Sequence, residues 1–206
     1  IPGVPVRELG MTLQPIVEGD GEIKAVPELL RRILTEGVVT GVRVDRPIKR
    51  PRSQLVREES LAKAVALARL RPDCEAILIV LDGDRDCPGE RGPTLQRWAE
   101  SAARGIPCAV VLAHREYEAW FLSSVESIRG ARGIRRDAES HPDPESPLGA
   151  KEALEDRMER GRAYHPATDQ VALTAKFDMA QAFRKCRSFR RMVRAVGLLV
   201  TATGTQ

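Results

Sequence analysis

The stretch AILIVLDGDRD, residues 76–86, decides the fold. Residues 76–81 are apolar without a break, and Ile77, Ile79 and Val80 are β-branched. A short unbroken apolar run bounded by turn residues predicts a strand covered on both faces, as in the middle of a parallel sheet. The run passes straight into Asp82, Asp84 and Asp86, so the predicted strand ends in an acidic turn.

Working outward, residues 12–18 (TLQPIVE) predict a shorter strand that stops at Gly19-Asp20-Gly21. Apolar residues at 23, 26, 29, 30, 33 and 34 then keep a helical period up to Gly37, and Pro27 predicts a start nearer Val26. Residues 38–44 alternate like a strand and lead into a basic, proline-containing loop at 46–52. Helices are expected at 58–70, 93–104 and 116–127, with a fourth strand at 106–113. Strands alternating with helices from 12 to 113 predict an α/β fold, a Rossmann-like, mostly parallel sheet flanked by helices. Residues 1–11 read as a leader, 12–127 as the α/β domain and 128–147 as a polar linker or loop. Residues 148–206 read as a helical C-terminal extension packed on the core.

The chain has 206 residues, and 33 Lys and Arg against 29 Asp and Glu leave it at +4. With 42% apolar residues it has ample material for a core, which excludes wholesale disorder. No apolar run approaches the ~20 residues that cross a bilayer, and no secretory signal is visible. Cys74, Cys87, Cys108 and Cys186 are scattered with no CxxC pair, which argues against zinc and for reduced thiols in a cytoplasmic protein. Only six of the cations are lysines. Arginine's planar fork suits a polyanionic partner, although biased codon usage produces the same excess.

Sites in open α/β sheets form beyond the carboxyl ends of the strands. Glu18 closes the first predicted strand, Asp82 and Asp84 the third, and Glu116 lies just past the fourth. Parallel strands bring all these ends to one edge, where converging carboxylates need a cation, and hard oxygen donors favour Mg²⁺ or Mn²⁺. Taken singly, each acid also reads as a helix cap or turn former. Gly19, Gly21 and Gly83 flank the acids and would let a phosphate approach the backbone. An EF-hand is excluded because its sixth and twelfth positions, counted from Asp82, fall on Cys87 and Pro93. No P-loop sequence and no phosphohexomutase serine loop is present.

Ile16-Val17-Glu18-Gly19 followed by Asp82-Gly83-Asp84 resembles the Toprim domain, the catalytic fold of topoisomerases, bacterial primases, ribosomal-RNA maturases and overcoming-lysogenization-defect nucleases. The separation of 64 residues holds two intervening β-α units. Glu22 matches the second acid of the VEGxxE form in the nuclease branch, and the likeness covers about residues 12–125. Arg115-Glu116-Tyr117-Glu118-Ala119-Trp120-Phe121 is similar to a signature of small bacterial Toprim-like proteins, often encoded beside ATPases and linked to mobile-element or phage defence. The resemblance implies a Toprim nuclease cutting DNA or RNA, with Glu18, Asp82 and Asp84 holding one or two divalent ions. Glu22 and Glu116 would serve a second ion, and Asp86 and Glu118 stand further out. Lys151 and Lys176, picked out by the scarcity of lysine, are the candidates for a positive side chain facing the transition state. The chain lacks room for DNA-gating or primase-specific regions. Two other readings stay open: a module that works only with an ATPase partner, and a small-molecule phosphotransferase.

Residues 179–196 hold six cations and no acid. On one continuous helix Arg184, Arg187, Arg191 and Arg194 share a face that could follow phosphates, or simply be solvated. Trp98 and Trp120 read as core. His114, His141 and His165 have no partner pattern.

Overall fold

The computed structural model describes residues 7–203. Five strands, β1 (Arg7–Val17), β2 (Val39–Val44), β3 (Ile48–Lys49), β4 (Cys74–Asp82) and β5 (Cys108–Ala113), form one sheet in the order β2-β1-β4-β5. Every pairing is parallel, and the short β3 lies beside the last residues of β1. Val17 is in register with Val80, and Asp82 with Ala113. The carboxyl ends of β1, β4 and β5 are therefore level.

Nine helices connect and cover the strands among the described residues: α1 (Glu22–Glu36), α2 (Arg52–Leu55), α3 (Glu58–Arg69), α4 (Pro88–Ala103), α5 (Ala119–Leu122), α6 (Ala150–Glu155), α7 (Pro166–Thr174), α8 (Met179–Lys185) and α9 (Arg187–Thr203). Successive residues of a strand point to opposite faces, and β4 shows why its sequence is apolar throughout. Ala76, Leu78 and Val80 enter a core shared with α1, α7, α8 and α9, while Ile77, Ile79 and Leu81 enter a second core shared with α3 and α4. The first core continues through Tyr117, Trp120, Phe121, Phe177 and Phe189, whose ring centroids lie 4.5–5.6 Å apart in tilted and edge-on pairs. Ala131, Ile134 and Ala138 of the irregular stretch 129–147 are buried in the same core. Among the described residues no helix is long and apolar enough to cross a membrane.

Several boundaries differ from the sequence reading. Residues 7–11, expected in a leader, begin β1 and pair with β2; residues 1–6 of that leader lie outside the described residues. α1 starts at Glu22 because the Gly21 carbonyl accepts from both Lys24 and Ala25 N–H, so Pro27 sits inside the helix on its buried side. α4 starts at Pro88, where the fixed φ and missing N–H suit the first helical position, and Pro93 is carried within it. The helix expected over 116–127 is only the four-residue α5 and a 3₁₀ turn at Val125–Ile128. Residues 119–125 are buried throughout, so no solvent face existed to make a helical period readable. The C-terminal stripe is two helices, because Cys186 adopts φ −106° and ψ 119° between α8 and α9.

Candidate active site at the carboxyl edge of the sheet

The level strand ends bring together acids far apart in the chain. Glu18 follows β1 directly, and its Oε2 accepts from the Asp82 N–H at 3.2 Å. Asp82, buried at the end of β4, accepts from the Tyr117 N–H at 2.8 Å through Oδ1 and faces Lys151 Nζ at 3.5 Å through Oδ2. Glu116 accepts from the Lys151 N–H at 2.8 Å and lies 3.6 Å from its Nζ. Glu118 is wholly buried and accepts from Tyr164 Oη at 2.8 Å and Gln170 Nε2 at 3.2 Å, while its Oε2 has no hydrogen-bond partner. Glu22, also buried, folds back to accept from the Gly19 N–H at 2.7 Å.

Crowding acids out of water raises their affinity for protons. Glu18 is pushed up to about 7, first by burial and then by Asp84 and Glu22, against the pull of the Asp82 N–H. Burial and the neighbouring Glu118 hold Asp82 well above the usual carboxylate range, with Lys151 opposing. Glu118 rises to about 7 through burial, again opposed by Lys151. Burial works against the Lys151 charge, but Glu118, Asp82 and Glu116 outweigh it and keep the ammonium protonated.

The remaining acids of the turn face a different cation. Arg52 forms an ion pair with Asp84, Nε lying 3.0 Å from Oδ2, and donates to Asp86 Oδ2 from Nη2 at 2.5 Å. The same guanidinium bonds the carbonyls of Asp82 and Gly83 at 3.1 and 3.2 Å. Asp84 itself is left-handed, at φ 49°. Gly83 is required by a close approach, since a Cβ there would lie 2.8 Å from the Ala113 carbonyl. Gly83→Ala is expected to cost about 1–3 kcal/mol, as overpacking does, lowering the melting temperature by roughly 3–10 °C at this chain length; a scan within ~1 °C of the parent would contradict this.

The edge thus gathers Glu18, Glu22, Asp82, Asp84, Asp86, Glu116, Glu118 and Lys151. It does not gather Lys176. Gln170 of α7 lies against Gly21 at the start of α1, whereas the Thr174 carbonyl bonds Arg32 further along it, so α7 runs away from the edge and leaves Lys176 exposed beyond its far end. Asp178, two residues after Lys176, caps α8 by accepting from the Gln181 N–H at 2.9 Å. Arg187, Arg191 and Arg194 line a cleft next to the edge, but Arg184 lines a separate apolar hollow with Ile33 and Phe183, a consequence of the break at Cys186. The sequence reading misses Arg52, Tyr164 and Gln170. Arg52 is one of several cations in the basic 46–52 loop with nothing to single it out, and nothing in the sequence around Tyr164 and Gln170 ties them to Glu118.

Among the described residues no three Asp, Glu, His or Cys side chains stand close enough to hold a metal ion as they are turned. The chemistry of the set nevertheless fits a hard divalent cation: it is all carboxylate oxygen, it contains the unpartnered, buried Glu118 Oε2, and its members strain against one another's charge. Lys151 and Arg52 are the cations that balance it.

Comparison with curated proteins and with solved structures returns no match. One family model matches residues 17–197, from the last residue of β1 into α9, and so spans every acid of this edge and the cleft beside it. The chain accordingly belongs to the family described as a domain of unknown function, DUF4276.

Proposed function

We propose that this chain is a Toprim-type phosphodiesterase that hydrolyses DNA or RNA with Mg²⁺ or Mn²⁺. The observation that carries the reading is the meeting of Glu18 and Asp82, 64 residues apart, at the carboxyl edge of a parallel sheet, joined by a 3.2 Å hydrogen bond. Glu18, Asp82 and Asp84 would hold the ion, with Asp84 turning away from Arg52. Bound there, a divalent ion supplies Lewis-acid polarisation of a phosphoryl oxygen. Lys151, fixed between Asp82 and Glu116, offers a positive charge at the same edge for the charge that develops on the phosphate. Tyr117 and Tyr164 orient Asp82 and Glu118 from behind. The four cysteines are unbridged, in keeping with a cytoplasmic setting.

The test is cleavage of supercoiled plasmid and of single-stranded RNA with either ion, comparing the parent with Asp82→Asn/Asp84→Asn. The variant is expected to lose more than the roughly 10–100-fold that outer-shell changes cost. Equal background cutting by both proteins would overturn the reading for the isolated chain and leave a module that depends on a partner such as an ATPase.

A further inference from the structure

A cleft of about 880 Å³ adjoins the carboxylates, between the start of α4 and the side of α9. Its walls are cationic. Arg187, Arg190, Arg191 and Arg194 line it from α9 and Arg115 from beyond β5, the Arg190 guanidinium being bonded to the Phe183 and Arg184 carbonyls. Two acids also reach it, Asp143 and Glu145. Glu145 is already engaged, accepting from the Arg187 and Ser188 N–H groups at 2.8 Å each and from the Ser188 hydroxyl, and so caps α9. The side chains of Arg187, Arg191 and Arg194 form no ion pair with an acid of the described residues.

One further feature favours an anion. Pro88 and Gly89, the first turn of the 16-residue α4, form part of the wall; Pro88 has no N–H and the Glu90 and Arg91 N–H groups bond the Cys87 carbonyl, so the turn offers the Gly89 N–H and the positive end of the helix dipole. Arg115 ties the cleft wall to the acidic turn: the Asp84 N–H donates to the Arg115 carbonyl at 2.8 Å and Arg115 Nη1 donates to the Asp84 carbonyl at 3.2 Å. From Arg187 to Arg194, α9 extends about 10 Å at ~1.5 Å per residue. That exceeds the width of one phosphate and suits successive phosphates of a strand.

We infer that this cleft binds consecutive backbone phosphates of a polynucleotide strand, through Arg187, Arg191, Arg194, Arg115 and the start of α4, and leads the strand onto the Asp82–Asp84 turn. The inference rests on the hydrolytic reading for what happens at that turn, but not for binding itself. Arg184 has no part in it.

The experiment is fluorescence anisotropy of a labelled single-stranded oligonucleotide in EDTA across a salt series, with the full chain. Arg191→Gln/Arg194→Gln, changing two side chains that reach the cleft from α9, is expected to bind at least ~10-fold more weakly and to lower the salt slope by about 1.4, since each phosphate contact on a single strand contributes ~0.7. Arg184→Gln is expected to bind as the parent does. Binding by the double variant within twofold of the parent, or an equal loss in Arg184→Gln, overturns the inference. So does a mononucleotide or inorganic phosphate that competes as well as the oligonucleotide, because the cleft would then hold a small phosphorylated ligand. Arginine-dependent binding by a parent protein that cuts nothing when Mg²⁺ or Mn²⁺ is restored supports the cleft and sinks the hydrolytic reading alone.

Discussion

Without divalent ions, the protein is expected to lose stability as pH rises from about 5 to 8, opposite to the usual behaviour of carboxylates paired with cations. Glu18 and Glu118 each move from 4.5 to about 7 in the folded chain, and Asp82 moves in the same direction. Over that interval the folded state binds more protons than the unfolded state, so stability is fully present below about 4.5 and drains away as pH passes 7. Each tenfold gain in proton affinity corresponds to ~1.4 kcal/mol. Allowing for the partial exposure of Glu18 and for Lys151, the total is on the order of 3 kcal/mol. Lys151 itself adds no slope here, because its raised affinity keeps it charged across the whole interval. Asp169 and Asp178, held below the usual carboxylate range by hydrogen bonds that outweigh burial, act only on the more acidic side. Urea titrations in EDTA at about pH 5 and pH 8 measure the loss. Glu118→Gln, which can still accept from Tyr164 and Gln170 at Oε1, is expected to flatten the profile, and Mg²⁺ at the alkaline end to recover part of it by binding only the folded form. A profile that rises across the same interval in the parent would mean that these acids are not pressed together as described.

Trp120→Ala is expected to give the largest loss of stability from one substitution, about 3–5 kcal/mol. The indole is fully buried. It packs against Tyr117 at 4.5 Å and Phe189 at 5.3 Å between ring centroids, and its Nε1 donates to Ser188 Oγ at 2.8 Å. Removing it opens a cavity between the segment after β5 and α9 and leaves the Ser188 hydroxyl short of a donor. Trp120→Phe keeps most of the volume and is expected to cost about 1–3 kcal/mol, the range for an unsatisfied buried polar group. Equilibrium unfolding of both variants checks the order. If Trp120→Ala costs less than Trp120→Phe, the indole is not the keystone of this core.

The order of strands and helices is readable because β4 is buried on both faces and so shows an unbroken apolar run, and because α1 keeps one polar side. Where burial is complete, as at residues 119–125, periodicity carries no information, and the expected long helix is two short turns. Pro27 points to a helix start near Val26, whereas the carbonyl that opens α1 lies upstream at Gly21, and α4, expected from residue 93, likewise opens upstream at Cys87. Glu18 and Asp82 are legible from one rule, that parallel strands end on one edge. Lys151 and Lys176 meet the same criterion of scarcity, and only the placement of α6 at the edge and α7 running away from it separates them. Arg52 is beyond the reach of sequence, because its importance comes from the fold of a loop that places one guanidinium against two carbonyls and two acids.

That loop has a consequence for any ion that enters. Many small metal sites are unstructured until the ion arrives, and uptake is then inseparable from folding. Here the turn after β4 is already tied down by a resident counter-charge on Arg52, so on the proposed reading cation uptake would be an exchange in which Asp84 changes partners while the backbone stays where it is. Such an exchange would weaken the grip on the ion and spare the chain any ordering step, with Arg52 still held by Asp86 and the carbonyls of Asp82 and Gly83.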